Sequence, residues 1–161
     1  MKQINLTNTN LVAIVDDEDY DFILSYNSWN LSKGYPRAAK QINKIRKTVR
    51  MHQLIIERMG IVVSDGMVCD HINRNKLDNR RCNLRLATIG QNAANADRPK
   101  NLCGYKGVSR NYDKWVARIS INGKVKHLGR FDTPKQAALK YNEVAIELFG
   151  QFAQLNEIND L

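Results

Sequence analysis

The residue order predicts an α+β chain: a small strand, loop, strand and helix unit behind a β-rich arm, followed by a three-stranded antiparallel sheet packed on one helix. Three observations carry that expectation. Residues 67–95 set two short apolar runs on either side of a polar loop, and a helix signal follows at once. Asn122-Gly123 separates two runs of alternating character, the strongest short-range sign of a hairpin. Thr133-Pro134-x-Gln136 supplies an N-cap, a first-turn proline and a capping-box partner. The expected divisions are a basic arm over 1–50, a central unit over 51–97, a linker over 98–103 and a terminal module over 104–157.

With 161 residues, 43% of them hydrophobic and 25% charged, the chain has enough apolar mass for packed cores. Its net charge of +9 implies a polyanionic partner, nucleic acid above all, and bears on binding rather than fold. No apolar run is long enough to span a membrane and MKQINLTNTN holds no apolar signal core, so the expected location is cytoplasmic. Cys69, Cys82 and Cys103 are odd in number and nowhere spaced C-x-x-C, which argues against a disulfide framework and a four-ligand zinc site. Cys69 reads as a small buried apolar residue with no chemistry.

Residues 4–6 and 11–15 read as two short strands around a Thr-Asn-Thr-Asn turn. Asp16-Asp17-Glu18-Asp19 then opens a helix with Tyr20, Ile23 and Leu24 at helical spacing. Acids in a first turn favour the helix dipole, and since none is spaced against a histidine this structural role is preferred to a metal site. From 33 to 50 the sign reverses, with Lys33, Arg37, Lys40, Lys44, Arg46, Lys47 and Arg50 and no acid among them. A hairpin turning near Asn43-Lys44 would either lay these charges along a phosphate backbone or present a solvated face, and both readings stand. Residues 51–59 form a short helix whose Leu54, Ile55 and Ile56 pack behind the central hairpin. His52 is read as a structural histidine at a helix end, outside the catalytic set.

In the central unit, Met67-Val68-Cys69 delivers Asp70 and His71 at a strand end. A loop over 73–81 is too polar to bury itself, residues 83–88 return as a strand, and Thr88 caps a helix running through Asn92 and Asn95. These residue types suit phosphodiester hydrolysis, which needs a water deprotonated near neutral pH and a stabiliser for charge on the leaving oxygen. An imidazole, with an ordinary pKa of about 6.5, accepts such a proton. A carboxylate and an amide carbonyl are hard oxygen ligands that favour Mg²⁺, Mn²⁺ or Ca²⁺ over zinc. An isolated Asp-His is ordinarily a solvated pair and Asn-rich loops are common turn chemistry; the two further asparagines in this context favour catalysis.

Asp70-His71, then Asn83 twelve residues after His71 and Asn92 nine further on, resemble the HNH nucleases, whose shared unit is a hairpin and a helix clamping one divalent metal (the ββα-metal unit). The resemblance implies His71 as general base, Asn83 as the brace of the loop, and Asp70 and Asn92 as metal ligands. The last position is often His in that family, and Asn there resembles the phage and intron-encoded homing members. Residues 33–50 also resemble the opening part of HNH proteins of this two-module kind.

After Asn95 periodicity is lost and Pro99 marks a linker. Residues 105–110, 114–121 and 124–131 read as three strands, and the helix after Thr133 sets Ala137, Tyr141, Val144, Ala145 and Leu148 on one face before Gly150. Trp115, Ala117, Ile119 and Ile121 are expected to face that helix, leaving Val116, Arg118 and Ser120 outward. With YKGVS, KWVARI, HLGRFDT, AALKYN and FGQFAQLN in that order, residues 102–157 resemble the Apetala/ethylene-response-factor DNA-binding domain. That family lays its sheet in the major groove, which implies DNA contacts from Lys106, Arg110, Arg118 and Lys124. Ser109 and Asn111 stand where the plant members are richer in arginine, so their base preference does not transfer.

Together these resemblances imply a metal-dependent, site-directed DNA endonuclease of the HNH homing type. It would use one divalent metal, Mg²⁺ or Mn²⁺, and no small-molecule cofactor, and would act on duplex DNA away from membranes, with a monomer favoured and the oligomeric state not given by the sequence. A DNA-binding regulator that keeps the HNH-like scaffold without cleaving is the alternative, and an RNA-binding or structural protein using charge alone is a third. Intact Asp70, His71, Asn83 and Asn92 favour the first.

Overall fold

The computed structural model describes residues 1–42, 45–97 and 103–158. Among them are four α-helices and four small antiparallel sheets, and the chain forms two compact units, Met1–Thr88 and Ile89–Leu161. None of the described helices is long and apolar enough to cross a membrane. Most of the expected linker, residues 98–102, and the Asn43-Lys44 turn lie outside the described residues.

In the first unit β1 (Lys2–Asn5) pairs antiparallel with β2 (Val12–Val15). Alternation buries Ile4, Ala13 and Val15 in one core with Ile23 and Trp29, and each such side chain contributes roughly 1.5–3 kcal/mol. The acids of α1 (Asp17–Leu24) do more than meet a helix dipole. Asp19 is wholly buried and holds two arginines: Arg81 through Nε and Nη2 at 2.7 and 2.8 Å, and Arg58 through Nε at 2.9 Å. Burial alone would raise the Asp19 pKa, but the two guanidiniums outweigh it and hold the carboxyl below its ordinary range.

A second sheet joins β3 (Asn30–Ser32), β4 (Tyr35–Ile42) and β5 (Ile45–Arg50) in that order. Lys33 and Gly34, both at positive φ, make its first turn. Arg50, extended, leads without a break into α2 (Met51–Arg58), which buries Met51, Leu54, Ile55 and Ile56. The third sheet is the hairpin of β6 (Met67–His71) and β7 (Leu84–Thr88), registered from Met67 opposite Thr88 to His71 opposite Leu84. Its long loop is fastened to β2, where Ile14 N–H donates to Leu77 O at 2.7 Å and Asn79 N–H donates to Ile14 O at 2.8 Å.

The second unit holds α3 (Ile89–Asn95), the sheet β8 (Val108–Asn111), β9 (Lys114–Ile121) and β10 (Lys124–Phe131) with β9 central, and α4 (Pro134–Phe149). Thr133 accepts from Gln136 N–H while the Gln136 side chain returns to Thr133 N–H, a complete capping box. Ala117 and Ile119 are buried in clusters with Ala137, Ala138, Tyr141, Val144 and Ala145 of α4, with Trp115 and Ile121 packed beside them. Val116 departs from its expected outward exposure: it is fully buried. It sits on the central strand, opposite Ser109 on one side and Arg130 on the other, where a short side chain is shielded by its neighbours. Gly107 has φ +75°, and a Cβ there would lie 2.2 Å from the Tyr141 ring and 2.6 Å from Arg118 O, so only glycine fits.

Candidate active site

Period-two alternation should send Asp70 and His71 to opposite faces of β6, yet both are buried, because β6 ends there and the loop folds over it. Asn83 organises that fold. Its Oδ1 accepts from Asn73 N–H at 2.9 Å, and its Nδ2 donates to Asp78 O at 2.7 Å and Asn73 Oδ1 at 2.9 Å. Asp78 continues the network, receiving Nε and Nη2 of Arg80 at 2.8 and 2.7 Å and Asn73 Nδ2 at 2.9 Å. The Arg80 bonds come first in holding the Asp78 carboxyl below its usual pKa.

The imidazole of His71 meets Asn79, which is fully buried, with Nε2 3.3 Å from Oδ1. Asn79 Nδ2 donates to Lys76 O at 3.3 Å, which orients the amide so that its oxygen faces the ring. An accepting oxygen makes Nε2 the protonated nitrogen and Nδ1 the basic one. Burial lowers the His71 pKa, only partly offset by the Asn79 bond and the Asp70 and Asp78 charges, so the ring is neutral at neutral pH.

His52, kept apart from the catalytic set by sequence, belongs to the same cluster. Its ring lies edge-on to His71 at 5.1 Å between centroids and edge-on to Tyr35 at 5.1 Å. Burial, followed by the positive potential of His71, Arg50 and Arg37, pushes its pKa down to about 3.

Asp70 receives Arg85 Nε on Oδ2 at 2.9 Å, the two residues being register partners across β6 and β7. As a buried hard oxygen donor Asp70 fits a divalent cation such as Mg²⁺, and a cation there would share the carboxylate with Arg85. Among the described residues no three His, Cys, Asp or Glu side chains gather as a metal cluster. Asn92 lies half-buried on α3, in the second unit. Beside this site Cys69 is inert, its thiol raised to about 12 by burial and by Asp70.

The HNH endonuclease family profile matches residues 49–94, from the end of β5 through most of α3. An uncharacterized HNH endonuclease of Acanthamoeba polyphaga mimivirus is 41% identical over 138 residues, covering 85% of this chain and 71% of that protein. The chain belongs to the HNH endonuclease family. Protein 3.8 of Escherichia phage T7 is 31% identical over 118 residues, 71% of this chain and 97% of that protein. A third likeness is to dehydration-responsive element-binding protein 2D of Arabidopsis thaliana, 47% identical over 57 residues, 34% of this chain and 28% of the plant protein.

Of the expected HNH positions, the structure brings Asp70, His71 and Asn83 into one buried assembly. Sequence reasoning missed Asn79, Asp78, Arg85 and His52. Arg85 follows from alternation once the hairpin register is drawn, and Asp78-Asn79-Arg80 stands out as polar residues in a loop that must close on itself. His52 left no local sign.

The four expected DNA contacts are divided. Arg110, Arg118 and Lys124 are exposed, Arg118 Nη1 donating to Ser109 Oγ at 3.3 Å and Arg110 resting 5.9 Å from the Trp115 ring. Lys106 instead sits before β8 and gives its ammonium to Ala94 O at 2.5 Å, Ala96 O at 3.1 Å and Gln154 Oε1 at 3.0 Å.

Proposed function

We propose that the chain is a metal-dependent, site-directed DNA endonuclease of the HNH homing type. The observation that carries this reading is the neutral, buried His71, its Nε2 on Asn79 and its place beside Asp70 at the end of β6. In this reading His71 takes the proton of the attacking water through Nδ1 and Asn79 keeps the ring in that tautomer. Asn83 holds the loop closed, and Asp70 with Asn92 would hold the divalent ion, which supplies Lewis acidity toward the phosphate when bound. The catalytic ββα-metal unit is residues 51–97, joined through 98–103 to the module at 104–157.

The likeness to the plant protein supports a DNA-binding role for that module, of the Apetala/ethylene-response-factor type, with Arg110, Arg118 and Lys124 each exposed to solvent. The division of labour follows: one unit cuts phosphates while the other supplies affinity and sequence preference. One observation favours the second reading, a regulator that binds without cutting: Arg85 already neutralises Asp70. Incubation of the protein with supercoiled plasmid and Mg²⁺, with and without chelator, separates the two. Nicked or linear product that vanishes on chelation supports the endonuclease, and intact plasmid under every condition refutes it.

A further inference from the structure

The basic hairpin of the first unit carries charge that its own sheet does not neutralise. Arg37 on β4 and Arg50 on β5 are register partners, so two guanidiniums stand directly opposite one another, an arrangement unfavourable without a counter-charge. Among the described residues neither makes a salt bridge, while nearby Asp70 and Asp78 are engaged by Arg85 and Arg80. Two buried nitrogens here lack any hydrogen-bond partner, Arg37 Nε and His52 Nδ1, and His52 is 3% exposed. Native proteins rarely leave such groups unsatisfied, and when they cluster beside a reactive histidine they mark a place where a ligand completes the bonding.

The surroundings define the ligand. Tyr35 stands against both sites, its ring 5.1 Å from His52 and 6.2 Å from His71. Lys76 Nζ lies 4.3 Å and the Arg50 guanidinium 5.8 Å from the same ring. Arg50 and Lys76 thus flank the Tyr35 ring, which also meets the His52 and His71 rings, and His52 feels the positive charge of Arg37 and Arg50. A compact anion with several acceptor oxygens answers all of them, and a guanidinium fork suits the geometry of phosphate.

We infer that Arg37, Arg50 and His52 form a binding site for one backbone phosphate of duplex DNA, immediately beside His71. The site rests on the endonuclease reading for its ligand, since a nuclease must seat a phosphate next to its base. Arg37 donates through Nε, His52 through a protonated Nδ1, and Arg50 with Lys76 supplies the balancing charge. His52 is then a phosphate-binding residue as well as the wall against which the His71 ring is set.

The test uses the full chain and a duplex in which single phosphates are replaced by neutral methylphosphonates. For the wild type, one position should lower affinity about tenfold when neutralised, the scale of one charge-assisted contact. Arg37→Gln should bind the unmodified duplex about tenfold more weakly, respond no further at that position, and show a salt dependence shallower by about one. Without DNA or metal, inorganic phosphate should shift the Nδ1 resonance of His52 in ¹⁵N-histidine-labelled protein, a readout that does not require any variant to fold. Methylphosphonates that weaken wild type and Arg37→Gln alike, or a His52 resonance unmoved by phosphate, overturn the site. Should plasmid cleavage fail while both signatures appear, the endonuclease reading falls and the phosphate site stands.

Discussion

Asn79 Oδ1 lies 3.3 Å from His71 Nε2, and the amide that holds it is itself held by Lys76 O. A single buried side chain thereby selects which imidazole nitrogen is basic. Asn79→Ala is expected to lower kcat for plasmid cleavage roughly 10- to 100-fold with little change in KM, the usual cost of losing an orienting contact. Asn79→Asp keeps an accepting oxygen and should retain more of the rate, which single-turnover cleavage of a labelled duplex measures.

His71→Ala should remove cleavage by at least ~10²-fold while leaving duplex affinity nearly intact. Cleavage rate and gel-shift affinity, taken on the same preparation, check both halves. A variant that cuts as fast as the parent removes His71 from the chemistry.

The Asp70 and Arg85 pair predicts a stability signature beside a catalytic one. Their side chains are 5% and 13% exposed, so Asp70→Ala removes one half of a buried ion pair and should cost about 3–5 kcal/mol in urea unfolding. Asp70→Ala with Arg85→Met should recover much of that stability and none of the cleavage. In the parent, chelation should stop cleavage, and Mg²⁺ or Mn²⁺ should restore it.

A pH dependence follows from His52, which faces Tyr35 and Arg37 on β4, Arg50 on β5 and His71 on β6. Its folded pKa, near 3, lies below the ordinary 6.5 of an unfolded chain. The unfolded state therefore binds the extra proton first, and the stability this site contributes is complete above about pH 6.5 and lost as pH falls toward 3. Over that window the slope should fall by about 1.4 kcal/mol per pH unit in His52→Phe relative to the parent, measured by urea unfolding between pH 4 and 8.

The second unit should act alone. A fragment of residues 89–161 is expected to fold and to bind duplex DNA without cutting it, with affinity that drops steeply as salt rises. Arg118→Ala should cost ~1–3 kcal/mol and relax preference at one base position if Arg118 reads a base edge, as selection from a randomised duplex pool would reveal. A folded fragment with no affinity at low salt leaves the first unit as the sole DNA contact.

What the residue order revealed was local. The Asn122-Gly123 hairpin and the Thr133 cap were legible because each is written in adjacent residues, and both are present in the sheet and at the start of α4. Asp70 and His71 were legible for the same reason. Burial of Val116 was not, because alternation ranks the two faces of a strand without knowing that a central strand is flanked on both sides. The service of Asp19 to Arg58 and Arg81 was equally hidden: its partners lie 39 and 62 residues away, and an acid at a helix start has a sufficient local explanation. His52 reaches His71 only because β5 passes straight into α2, a join that leaves no mark in composition.

The bracket formed by Ile14 bears on how the protein is made. Its N–H and C=O clasp Leu77 and Asn79, so the loop that shapes the histidine site closes onto a strand that leaves the ribosome some sixty residues earlier. The template is waiting when the loop emerges. Both sides of that clasp belong to the first unit, so it can close while the second unit is still being synthesised.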